Sequence, residues 1–238
     1  MNQPFRTTGS LRFGWEKTRA NSGLLFKVVL MFAVVVIVQS IAQTLISNQV
    51  IAVLAACIIG IVEIVFGVGA TVISLKLARG ERAAFSDIIP PWRITVRYVL
   101  ASLISGFYIA LGAGIPIGLG ALIVLTYPSL GSGGLVGVFL LMALGVSIGV
   151  YLLLRYLMVK IAAVDGEIGV FDTLRKSTRL SRGVKWSLFW FLLALILLNI
   201  IGALLFFVGL LITVPVTLIA FAHVYLALCG PSGEGIIE

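Results

Sequence analysis

WSLFWFLLALILLNIIGALLFFVGLLITVPVTLIAFAHVYLAL, residues 186–228, runs from Trp186 to Leu228 without one Asp, Glu, Lys or Arg. As a single helix it would be roughly twice as long as the ~30 Å hydrocarbon core of a bilayer is thick. The run must therefore fold back on itself near Val208-Gly209, which predicts a hairpin of two membrane spans. Four further apolar runs, each long enough to cross at about 20 residues per span, complete the count. The predicted spans are 24–46, 50–75, 98–126, 135–158, 186–207 and 209–228. The expected fold is an all-α, six-span transmembrane bundle over 24–228, with an interfacial segment at 1–23 and a tail at 229–238.

Composition agrees with that reading. Of 238 residues 61% are hydrophobic and only 11% charged, and the mean hydropathy is +1.19, whereas soluble domains carry roughly 25% charged residues. Soluble enzyme folds, disordered chains and disulfide-rich scaffolds are excluded. The 26 glycines suit close packing of helices in lipid. Cys57 and Cys229 lie in separate apolar segments and read as packing residues.

The net charge of +8 is first a matter of topology. Arg6, Arg12, Lys17, Arg19 and Lys27 precede or open span 1, and Lys76, Arg79, Arg82, Arg93 and Arg97 lie between spans 2 and 3. Arg155, Lys160, Arg175, Lys176, Arg179, Arg182 and Lys185 stand between the end of span 4 and the start of span 5. Together these are all 17 Lys and Arg. The connections Ser47-Asn48-Gln49 and Tyr127 to Gly134 contain none, so the positive-inside rule places both termini in the cytoplasm. Splitting the third run at Gly114-Ile115-Pro116 into two crossings would export the basic 160–185 connection, so one tilted or broken helix is expected. Ser40-Ile41-Ala42 offers small residues for signal cleavage, but the apolar run continues past it and the charged leader is long, so retention is expected.

Two polar segments read as helices on the membrane surface. In VFDTLRKSTRLSRG, residues 170–183, Val170, Phe171 and Leu174 form one face and Arg175, Arg179 and Arg182 another, with Asp172 as cap and Gly183 as stop. Arg175, Lys176, Arg179 and Arg182 are the candidate contacts to anionic lipid headgroups, each adding about 1 kcal/mol. A plain orientation signal is the competing account. In SLRFGWEKTRANSG, residues 10–23, Leu11 and Trp15 oppose Arg12, Glu16 and Arg19. Trp15, Trp92, Tyr98 and Trp186 stand where an interfacial aromatic belt belongs.

Glu63 is the one acid inside a span, and an intramembrane carboxylate is a functional candidate by default. Gly60, Glu63, Gly67, Thr71 and Ser74 recur at three- and four-residue spacing as a small, polar stripe, which turns Glu63 toward other helices. Folding spans 1 and 2 about Asn48 sets Glu63 ~9 Å inside the apolar zone. The only histidine, His223, and Arg155 fall at similar depths, ~8 Å, so the three form a candidate intramembrane polar layer. The rival account has Arg155 snorkelling, His223 packing and Glu63 protonated and hydrogen-bonded.

Gln39, Ser40, Gln43, Thr44 and Asn199 read as interhelical hydrogen-bonding groups. Gly145-x-x-x-Gly149 and Gly114-x-x-x-Gly118 allow close helix approach without specifying a dimer. No catalytic constellation, phosphate-binding loop, cofactor motif or metal-ligand spacing stands in the sequence, and no nucleic-acid partner is expected.

The stretches GSLRFGWEKTRANSGLLFKVVL, residues 9–30, and RYLMVKIAAVDGEIGVFDTLRKSTRLSRGVK, residues 155–185, followed by the 186–228 hairpin, resemble a group of uncharacterised bacterial six-span membrane proteins. That group includes those labelled as membrane domains of glycerophosphodiester phosphodiesterases. The shared pattern is a basic-aromatic start, an Asp after span 4, a serine-bearing basic helix and a closing Gly/Pro hairpin. The middle departs from it, with Gly114-Ile115-Pro116 and a longer YPSLGSGG connection where the group carries a Pro-Gly pair. The resemblance implies the fold and a bacterial inner-membrane location, without a soluble phosphodiesterase domain, so the enzymatic label is not carried over. The expected role is a non-enzymatic accessory or assembly factor with a basic cytoplasmic face, its partners membrane lipids and a membrane protein. The alternative is a small transporter or lipid-handling protein using the Glu63 layer, and a cavity within the bundle discriminates the two.

Overall fold

A computed structural model describes residues 5–46, 48–127, 131–166, 169–205 and 209–230. The turn residue Val208, Ser47 of the first connection and tail positions 231–238 lie outside the described residues. Helix α1 spans Thr7–Ala20, α2 Ser22–Leu45, α3 Gln49–Arg79, α4 Trp92–Thr126, α5 Ser132–Tyr156, α6 Val159–Asp165, α7 Val170–Leu180, α8 Lys185–Leu204 and α9 Leu210–Cys229. A 3-10 turn, Phe85–Ile88, precedes α4. No strand occurs among the described residues. Six stretches are long and apolar enough to cross a membrane: α2, α3, α4, α5 together with α6, α8 and α9.

Local chemistry sets the helix ends. The Asn48 side chain accepts hydrogen bonds from the Val50 and Ile51 amides, capping two orphan donors of α3. At its other end Gly80 adopts φ +79° and the Glu81 amide donates to the Lys76 carbonyl, a closure that needs a left-handed residue. Gly183, φ +83°, follows α7 as expected of a stop. Asp172 is not the cap of α7. The helix begins earlier, at Val170 after Gly169, which puts Asp172 in the first turn, where its charge complements the helix dipole.

The third apolar run is one uninterrupted helix. Pro116 sits inside α4, whose 35 residues give a length of about 52 Å, well beyond the ~30 Å of hydrocarbon. Glycines make the α4/α5 seam close. A Cβ on Gly145 would fall 3.0 Å from the Ala113 carbonyl oxygen and 2.8 Å from the Ile117 side chain, and one on Gly149 would fall 2.9 Å from the Ala113 Cβ. Gly145-x-x-x-Gly149 is thus used within a hairpin of this chain. Gly114 and Gly118 meet no neighbour within 4 Å.

Alternating helix directions bring the starts of α2, α4 and α8 and the ends of α3, α5 and α9 to one end of the bundle, the basic end. The core is concentrated there. One cluster joins Leu154, Met158, Ile161, Leu188, Phe191 and Tyr225, and a second joins Leu25, Val28, Ile73, Leu77, Ile88 and Ile219. A third seats α6 and α7 on α4 through Ala101, Val159, Ala163 and Leu174. Among the described residues the far halves of α2 and α3 bury no residue and those of α4 and α5 bury only Gly120, Val138 and Gly145, in the α4/α5 seam, whereas α8 buries Leu195 and Gly202 and α9 buries Pro215, Val216 and Ile219. The rest of those halves presents Leu, Ile, Val and Phe outward, as helices bathed in lipid do.

Helix α1 docks on α9 by small residues. Ser10, Gly14 and Thr18, one turn apart, are buried, and a Cβ on Gly14 would come 2.6 Å from the Val216 carbonyl oxygen. Trp15 stays 52% exposed, and Arg12 pairs with Glu16 on the outer face. The Ser10/Gly14/Thr18 face makes the contact with α9 because small side chains allow this close approach.

Candidate functional site

A cavity of about 790 Å³ opens among α3, α4, α5, α6 and α9. Its wall is mostly apolar, with Phe32, Ile109, Leu153, Val214, Leu218 and Phe221. Polar groups enter from four helices: Thr71 and Ser74 from α3, Tyr98, Ser102 and Ser105 from α4, Tyr156 from α5 and Thr217 from α9. Lys160 of α6 is the single charged residue lining it. The volume falls within the range of ligand-binding pockets, and a few convergent polar groups on an apolar wall are the usual composition of such sites.

The stripe on α3 explains part of this wall. Gly67, Thr71 and Ser74 line the cavity. The two hydroxyls donate back to their own helix, Thr71 to the Gly67 carbonyl at 2.9 Å and Ser74 to the Ala70 carbonyl at 2.7 Å. Intrahelical donation lets a hydroxyl sit in lipid-like surroundings. Ser105 likewise donates to the Ser102 carbonyl. The Ser102 hydroxyl oxygen is buried without a partner among the described residues. Tyr98 is turned into this cavity and is no part of the outer aromatic belt, whereas Trp15, Trp92 and Trp186 are exposed.

The structure does not bring Glu63, Arg155 and His223 together. Glu63 is half-buried in the far half of α3, does not line the cavity, and has no hydrogen bond or ion pair among the described residues. Arg155 stands in the last turn of α5, which stops at Tyr156, and Lys160 belongs to the following helix α6. Its guanidinium reaches Thr178 of α7, and its carbonyl accepts from the Ser177 and Ser181 hydroxyls at 3.1 and 3.3 Å. Those two fully buried serines satisfy a carbonyl that the helix end leaves open. His223 stacks on Phe13 of α1, ring centroids 4.2 Å apart.

Arg175 and Arg179 of α7 and Arg182 just after it are exposed, Arg175 lying 3.9 Å from Asp172. Lys176 turns inward to Asp165 at 3.0 Å and lies over the Tyr225 ring. Asp165, its side chain 7% exposed, also accepts from Arg79 of α3 and from the Tyr225 hydroxyl of α9. One carboxylate thus ties four helices at the basic end. The sequence reading noted an Asp after span 4 but could not assign its partners. Asn199 donates to Thr217 at 2.8 Å and joins α8 to α9, the interhelical role expected of it. Ser40 and Thr44 bond within α2.

These features define a multi-pass integral membrane protein of the helical-bundle class. No protein-family profile, curated protein or solved structure matches the chain.

Proposed function

We propose that this protein binds a lipid-like amphiphile within the membrane, as a lipid-handling protein or small transporter. The reading rests on one observation, the cavity of about 790 Å³ with an apolar wall and polar groups from four helices. It departs from the Glu63-centred form of the idea, since Glu63 is not among the lining residues. A bacterial inner-membrane location, which the resemblance implies, is part of the proposal, and the charge distribution supports setting the basic end in the cytoplasm. A second reading, an accessory factor recognised through its basic face, is favoured by the exposed Arg179 of α7 and Arg182 just after it.

Gly67 and Gly106 both line the cavity, and a Cβ at either meets nothing within 4 Å. Phe at these sites fills the cavity without displacing the bundle. Solvent extraction of protein purified in mild detergent should recover a stoichiometric amphiphile from the natural sequence and little from Gly67→Phe/Gly106→Phe. Equal recovery from both would remove the cavity reading and leave the accessory one.

A further inference from the structure

Lys160 differs from the partnered cations of the basic end. Lys76 is held by Asp87 at 2.8 Å, Arg79 and Lys176 are held by Asp165, and Arg155 reaches Thr178. Lys160 has no hydrogen bond or ion pair among the described residues, yet it lines the cavity. No Asp or Glu lines it with Lys160. Lys160 is an exposed residue that keeps access to solvent, and as the charged residue on an apolar wall it attracts an opposite charge.

Two further donors are free on the same wall. The buried Ser102 hydroxyl has no partner, and the Tyr156 hydroxyl has none among the described residues. The fold sets all three on the wall of the same cavity. Tyr98, one turn before Ser102 on α4, packs with Tyr156 against the cluster that contains Val159, the neighbour of Lys160. The hydroxyls on α3 donate to their own backbone and supply no such donors.

We infer that the cavity selects amphiphiles with an anionic head, a carboxylate or a phosphate monoester, seated on Lys160, Ser102 and Tyr156 with the hydrocarbon along the apolar wall. This rests on the amphiphile-binding reading above and adds the class of ligand. A quaternary ammonium head would be repelled by Lys160, and an alcohol would leave its charge uncompensated.

The test uses the purified full chain in neutral detergent, with native mass spectrometry of palmitate, hexadecyl phosphate and hexadecanol binding. The two anions should bind about tenfold more tightly than the alcohol, the scale of one charge-assisted hydrogen bond. Lys160→Gln should abolish that preference while still binding the alcohol, Lys160→Arg should keep it, and Ser102→Ala should weaken the anions alone. The palmitate and phosphate arms, compared with each other, identify which head is preferred. Equal binding of all three probes, or a preference that survives Lys160→Gln, would overturn the headgroup assignment and leave the cavity reading standing. Failure of every probe to bind, or binding untouched by Gly67→Phe, would overturn both. An unchanged melting temperature in Lys160→Gln separates lost binding from lost folding.

Discussion

The hydroxyl of Tyr225, near the end of α9, donates to the carboxylate of Asp165 at the end of α6. The same carboxylate accepts from Arg79 and Lys176, so two cations on two other helices converge on a nearly buried acid. Removing the negative charge leaves both cations facing each other without compensation. Asp165→Asn should cost about 2–3 kcal/mol, below the 3–5 of a fully enclosed pair because Arg79 and Lys176 keep some solvent. Tyr225→Phe removes only a hydrogen bond and should cost about 1 kcal/mol. Thermal unfolding of both variants in detergent checks the order; a larger loss for Tyr225→Phe would contradict it.

Asp87 provides a pH-dependent contribution outside the membrane spans. Burial alone would raise its pKa, but hydrogen bonds from the Lys76 ammonium at 2.8 Å and the Ala84 amide at 2.9 Å, with the charge of Lys76, hold the carboxyl below its ordinary 3.8. A lowered folded-state pKa means stabilisation that is complete above the unfolded value and lost as pH falls through the folded one. Asp87→Asn should therefore lower stability at pH 7 by about 1 kcal/mol, as for a partly exposed pair. The gap from the natural sequence should close in melts recorded well below pH 3.8. A gap that persists in acid would show that the carboxylate charge is not its source.

Sidedness can be read by chemical labelling. Ser177 is fully buried against Arg155 and would resist any reagent from either side, so the reporter at the basic end belongs at exposed Glu81. With Cys57 and Cys229 replaced, a single cysteine at exposed Ser132 should react with an impermeant maleimide on intact cells. One at Glu81 should react only after lysis. The reverse pattern would invert the orientation.

Glu63 has no partner to lose. Glu63→Gln should shift stability by less than about 0.5 kcal/mol, and Arg155→Met should add to it without coupling, since nothing joins the two side chains. A double-mutant cycle in detergent that returned a coupling above about 1 kcal/mol would require an arrangement of α3 and α5 different from this one.

Much of this architecture is legible in the chain because lipid imposes one dominant rule, an apolar run of sufficient length. The expected 24–46 and 186–207 spans meet α2 at Ser22–Leu45 and α8 at Lys185–Leu204. The reading falls short at the basic end. There α3 runs on to Arg79 and α4 starts at Trp92, because outside the hydrocarbon a charged residue no longer ends a helix and a cap such as Gly80 does. No apolar pattern reveals the break between α5 and α6 after Tyr156. Asp165 was out of reach for a different reason. Its partners lie 86, 11 and 60 residues away, and only tertiary packing joins them. The α3 stripe was visible through its spacing, while Ser102 and Ser105 carried no comparable signal on α4.

The uneven burial along the spans has a consequence for how the molecule is solvated. Among the described residues the far halves of the first two hairpins bury few side chains, and in a bilayer acyl chains would fill the space that a soluble protein fills with side chains. Lipid is thereby a structural component, and the spread of the legs is set by lateral pressure and leaflet thickness as much as by the polypeptide. Exchange into a short-chain detergent should replace that filling, which a bilayer disc preserves.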